Sequence, residues 1–125
     1  MIRINRINWI AGTLLVLLSV IGEALGSHLL KESILHKTYY ALAMQFLMGN
    51  GLGLILSHLL YQQHRTKLIF YSGLVIGIGT LLFSTTLFMK SLGLTGDWGI
   101  LTPIGGAVLI AGWVMMVTAA FRSKY

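Results

Sequence analysis

Glu23 lies at the end of a long apolar run, in the stretch SVIGEALGSHLLKE, with Ser19 and Ser27 four residues to either side and His28 just beyond. An acid inside a membrane-spanning run costs roughly 2.5–3.5 kcal/mol at the bilayer centre and less towards the interface. Such a carboxylate can hold a proton or a cation, or can be satisfied locally by hydroxyl groups on its own helical face. Lys90, at the end of another apolar run, is the candidate counter-charge. Glu23, Ser27, His28 and Lys90 therefore form the candidate polar or ion site. Glu23 sits ~8 Å inside the expected helix end at 1.5 Å rise per residue. At that shallow depth it is expected to face the bundle or a partner and to act as a local structural group.

Other chemistries find less support. His28, Glu32 and His36 fall within nine residues, but a histidine spacing of eight is not a standard ligand spacing, and cysteine is absent. No metal and no cofactor are expected. His28 and His58 fall near opposite faces of the expected topology and could not sandwich a haem. The chain has no Gly-Xaa-Ser-Xaa-Gly elbow, no paired carboxylates within one span and no phosphate loop, so an enzyme is not expected. The net charge of +6 comes from only nine Lys and Arg, scattered between apolar runs. That pattern sets membrane orientation rather than binding nucleic acid.

The elements that would position these groups follow from composition. The 125 residues are 56% hydrophobic and 10% charged, with a mean hydropathy of +0.83, against roughly 25% charged residues in soluble domains. Four apolar stretches, at about 8–30, 38–61, 68–90 and 99–121, each reach the ~20 residues a membrane-spanning helix needs. They do not alternate as barrel strands would. Short connections between them predict a single all-α transmembrane domain, a four-helix up-down-up-down bundle. Arg3, Arg6, Arg65, Lys67, Arg122 and Lys124 fall on one face and Lys31, Lys37 and Lys90 on the other. The six-to-three count places both termini in the cytoplasm. Arg3 and Arg6 before an apolar run, with Ala-Leu-Gly before Ser27, resemble a signal peptide. The apolar character resumes after Glu23, however, so an uncleaved first span is expected.

Small residues four apart occur in every run: Gly22/Gly26, Gly49/Gly53, Gly73/Gly77 and Ala107/Ala111. Gly105 and Gly106 add to the last of these. Such residues let helix backbones approach in lipid, where packing drives association. Thr102 and Pro103 are expected to start the fourth helix as N-cap and first helical residue, with Trp98 at the interface.

The stretches EALGSHLLK, HKTYYALAMQFLMGNG, LLFSTTLF and LGLTGDWGILTPIGGAVLIAGW resemble a family of small multi-pass membrane proteins. It is catalogued as domain of unknown function 423, with a transmembrane-protein-256-like branch. LTPIGG followed by AGW is the most specific part. Gly26, His28, Tyr39, Phe83, Ser84, Thr102, Pro103, Gly105, Gly106, Gly112 and Trp113 fit its pattern. Glu23 replaces a glycine, and Tyr40 replaces a histidine that opens the second helix, with His36 nearby. The resemblance implies a four-helix protein of the bacterial inner membrane and no activity.

Two functions fit this reading. The first is an accessory or structural subunit that packs with lipid and with another membrane complex or further copies of itself. The second is a small proton- or cation-linked transporter or channel using Glu23, Lys90, Asn50 and Ser84. The low density of polar residues inside the spans favours the first, and so does a lone proline that starts a helix rather than breaking one.

Overall fold

The computed structural model describes residues 6–29 and 34–123, with side chains over 6–26 and 36–123. Four helices account for most of it: α1 (Ile7–Leu29), α2 (Ile34–His64), α3 (Lys67–Ser91) and α4 (Leu101–Arg122). A short 3-10 turn, Asp97–Ile100, leads into α4. All four helices are long and apolar enough to cross a membrane. In lipid a helix satisfies its own backbone hydrogen bonds, and no proline interrupts any of these interiors.

The ends differ from the hydropathy pattern for local reasons. α2 continues to His64, so most of the expected connection YQQHRTK is helical and only Arg65 and Thr66 separate α2 from α3. Hydropathy marks where apolar residues stop, whereas the hydrogen-bonded ladder runs on through Gln62, Gln63 and His64. Arg65 ends it by adopting a left-handed φ of 56°, with its N–H donating to the Tyr61 carbonyl at 2.7 Å. α3 closes with a Schellman turn. Gly93 takes φ 82°, its N–H donates to the Lys90 carbonyl and the Leu94 N–H to the Met89 carbonyl.

The expected start of α4 is corrected. Ile100 occupies the cap position and makes no side-chain cap bond, and the helix begins at Leu101. Thr102 is already inside the first turn. Its hydroxyl donates to the Thr86 hydroxyl on α3 at 2.6 Å instead. Pro103 also falls within that turn, where a missing N–H costs little.

Successive helices carry the main contacts: α1 with α2, α2 with α3, α3 with α4, and α1 only lightly with α3. Trp9 of α1 stacks on His58 of α2 with ring centroids 5.3 Å apart, while the Tyr40 hydroxyl at the other end of α2 donates to the Gly22 carbonyl. Phe46 meets Phe83 edge-on at 4.7 Å. Two small cores result, one of Tyr40, Ala43, Met44 and Leu87 and one of Leu15, Leu54, Ile76 and Leu109. Large apolar side chains such as Leu14, Leu17, Ile110 and Val114 point outwards. That is the distribution expected when the solvent is hydrocarbon.

Candidate functional site

Of the four residues predicted to form a site around Glu23, the structure describes the side chains of Glu23 and Lys90. Glu23 is exposed on α1. The Ser19 hydroxyl is buried and donates to the Val16 carbonyl at 2.7 Å, back along its own helix. Ser27 and His28 belong to α1, but their side chains lie outside the described residues, as does Glu32 of the histidine cluster. Lys90 is half-buried on α3 with its ammonium 5.9 Å from the centre of the Tyr39 ring. Among the described residues no ion pair joins Lys90 to Glu23. Glu23 is exposed beside Gly22 and Gly26, which face Tyr40 of α2.

The packing residues divide sharply. A Cβ at Gly26 would lie 2.8 Å from Tyr40 Cε1, at Gly53 2.8 Å from Trp113 Cζ2, and at Gly105 2.6 Å from the Phe83 backbone nitrogen. Gly22 is closed off by Met44, and Gly73 by Asn8 and Ser57. Gly77 and Gly106 are in ordinary contact, at 3.5 Å from Leu54 and Phe83. Gly49 has nothing within 4 Å, and Ala107 and Ala111 are exposed. For those three the expected packing role is corrected within this chain, because they occupy the outward face of α2 or α4. Further close backbone approaches fall outside these pairs. Gly12 and Gly51 face each other across α1 and α2, each Cβ site within 3.0 Å of the other's carbonyl oxygen. Gly79 meets the Leu109 nitrogen and Gly112 the Ile76 nitrogen, at 2.8 and 2.9 Å.

Between the helices lies a thin set of polar contacts. The Asn8 amide donates to the Phe70 carbonyl at 3.2 Å and to the Ser57 hydroxyl at 3.4 Å. Ser57 in turn donates to the Ile69 carbonyl at 3.1 Å. The Trp113 indole N–H donates to Asn50 Oδ1 at 2.8 Å, and the Asn50 amide donates to the Phe46 carbonyl. Ser84 Oγ is the one buried side-chain polar atom without a partner among the described residues. Apart from Ser84, these groups connect one helix to another. Among the described residues no three His, Asp or Glu side chains gather in a metal-binding group.

The family described as "Protein of unknown function (DUF423)" matches residues 22–106, from Gly22 on α1 to Gly106 on α4. The chain belongs to this family. It is 30% identical over 115 residues to a UPF0382 membrane protein of Staphylococcus haemolyticus (strain JCSC1435), covering 90% of this chain and 93% of that one. A UPF0382 membrane protein of Staphylococcus epidermidis is 29% identical over the same length. The UPF0382 inner membrane protein YgdD of Escherichia coli (strain K12) is 38% identical over 63 residues, 50% of this chain and 48% of YgdD. No solved structure matches the chain. With four candidate spans and this membership, the chain is a multi-pass membrane protein of the DUF423 family.

Sequence reasoning missed Asn8, Ser57 and Tyr40 as inter-helix contacts. Asn8 and Ser57 are polar residues in long apolar runs, which was the available signal; they partner each other across 49 residues. Tyr40 is 5% exposed and bridges α2 to α1. Trp113 was recognised only through the family pattern, and its bond to Asn50 is testable. Trp113→Phe keeps the ring over Gly53 and removes the donor, so unfolding stability in detergent should fall by about 1 kcal/mol. Wild-type stability in that variant would show that the indole bond contributes nothing.

Proposed function

We propose that this DUF423 protein is a non-enzymatic accessory or structural subunit, packing through α1 with another membrane helix, from a further copy or from another complex. The supporting observation is Glu23. It is exposed on a helix that otherwise shows Leu14, Leu17, Leu18, Ile21 and Leu25 outwards. A carboxylate left facing hydrocarbon is costly, and a neighbouring helix with a donor removes that cost. The same reading takes the chain as an up-down-up-down bundle in the bacterial inner membrane with both termini cytoplasmic. The pairings of Trp9 with His58 and of Tyr40 with Gly22 support the opposite sense of α1 and α2, and the basic-residue count supports the orientation. Reporter fusions at Tyr125 and Glu32 should then read out on opposite sides of the membrane, and a shared side would overturn the topology.

The absence of cysteine from the sequence makes the assembly directly testable. A Glu23→Cys variant carrying a photo-activated cross-linker, irradiated in native membranes, should give an adduct of protein size. Adducts to lipid alone would defeat the proposal. Reconstituted vesicles provide the competing outcome. A pH- or cation-driven flux that is present in wild type and lost in Glu23→Gln would replace the subunit with a transporter.

A further inference from the structure

The end of the bundle where α2 starts and α3 ends holds a cleft of about 370 Å³, lined by His36, Tyr39, Lys90, Thr95 and Trp98 together with the turn glycines. We propose that this cleft binds the phosphate group of an anionic ligand, either a phospholipid headgroup or free phosphate. The inference is separate from the assembly reading, which concerns the outward face of α1.

The cleft is built by the Schellman turn. The left-handed Gly93 reverses the chain beside the His36 ring, and a Cβ there would lie 3.7 Å from His36 Cε1. The 3-10 turn then brings Gly99 alongside the Lys90 stem, its Cβ site 3.9 Å from Lys90 Cε. Trp98 folds back over Gly96, its indole nitrogen 2.8 Å from the Cβ site. Lys90 is thus held half-buried between Tyr39 and the turn. No carboxylate among the described residues pairs with it, and Asp97 in the same turn is exposed and does not line the cleft. Its ammonium carries three donors. Tyr39, Thr95 and Trp98, which also line the cleft, each carry a further hydrogen-bond donor. A phosphate presents acceptor oxygens and negative charge, and lysine binds it as a point charge. The position at the end of four apolar helices is where lipid phosphates lie.

Lys90 also lies in the last turn of α3, where any cation complements the helix dipole. The test must therefore read ligand binding rather than stability alone. The full chain is placed in nanodiscs of phosphatidylcholine with a minor fraction of phosphatidylglycerol, and retained lipid is measured by native mass spectrometry. Wild type and Lys90→Arg are expected to enrich phosphatidylglycerol. Lys90→Gln is expected to reduce that enrichment about fivefold, and Trp98→Phe, which keeps the ring and removes the donor, to reduce it partially. A second arm titrates inorganic phosphate into protein held in phosphatidylcholine alone. A phosphate-dependent rise in melting temperature that Lys90→Gln lacks, without lipid enrichment, assigns the same site to free phosphate. The proposal is overturned if wild type shows neither effect, or if Lys90→Gln keeps whichever effect wild type shows. Should Lys90→Gln fail to fold, Trp98→Phe decides, and unchanged binding in that variant also overturns it.

Discussion

Gly105→Ala is expected to destabilise the protein by about 2 kcal/mol and Gly105→Leu by more than 3, whereas Gly106→Ala, one residue on, is neutral or slightly stabilising. The contrast comes from what each new carbon would meet. At Gly105 it would sit 2.6 Å from the Phe83 backbone nitrogen and 3.0 Å from Phe83 Cα. Backbone in the middle of α3 cannot swing aside, so α3 and α4 must separate. That movement would also pull apart Gly79 and Leu109, Gly112 and Ile76, and the Thr102–Thr86 hydrogen bond, since all three contacts lie along the same pair of helices. At Gly106 the nearest atoms are ring carbons of Phe83 at 3.5 and 3.6 Å, an ordinary contact. A helical alanine is intrinsically favoured over glycine by roughly 0.8–1 kcal/mol. Thermal unfolding of the detergent-purified variants measures the difference. Equal melting temperatures for Gly105→Ala and Gly106→Ala would mean that α3 and α4 do not pack at this register.

Gly73→Leu should be the most damaging change at the opposite end of the bundle, costing about 3–5 kcal/mol. Its Cβ would lie 2.5 Å from Ser57 Oγ and 2.8 Å from Asn8 Cγ. Both side chains are buried and already committed, Asn8 to the Phe70 carbonyl and Ser57 to the Ile69 carbonyl. Overpacking alone costs roughly 1–3 kcal/mol. Driving Asn8 from its place adds a buried polar group without a partner, on the order of 1–3 kcal/mol more. The mechanism predicts a specific coupling. In a cycle of Gly73→Ala with Asn8→Ala, the smaller side chain at position 8 makes room for the new methyl, so the double variant should be at least about 1 kcal/mol more stable than the sum of the singles. Strict additivity would show that Gly73 is not seated on Asn8.

Family membership, the four helices and the membrane as solvent were legible from composition and the Thr-Pro-Xaa-Gly-Gly pattern, because each depends on averages over twenty residues or on a contiguous motif. An apolar run of spanning length has few alternatives to a helix in hydrocarbon. The helix ends were less legible. Arg65 in a left-handed conformation and the 3-10 entry into α4 depend on single residues that hydropathy does not weigh.

Which face of each helix is inward was decided by tertiary structure. A four-residue spacing of small residues says that a helix can be approached closely on one face, without saying that a neighbour lies there. Gly22/Gly26 meet side chains of α2 and Gly73 those of α1 and α2, while Gly49, Ala107 and Ala111 share the same spacing and are open or exposed. The pairs that matter most, Gly12 with Gly51 and Gly79 with the Gly105–Gly112 side of α4, join residues distant in sequence. Local spacing carries no information about them. The candidate site divided for the same reason. Glu23 and Lys90 were paired on charge and depth, which a sequence states, but α1 barely touches α3. Glu23 is exposed on α1, and Lys90 lies beside Tyr39 in the cleft that Trp98 also lines. A sequence determines which side chains are costly to leave alone in lipid. Only the packing of the helices decides which neighbour each one meets.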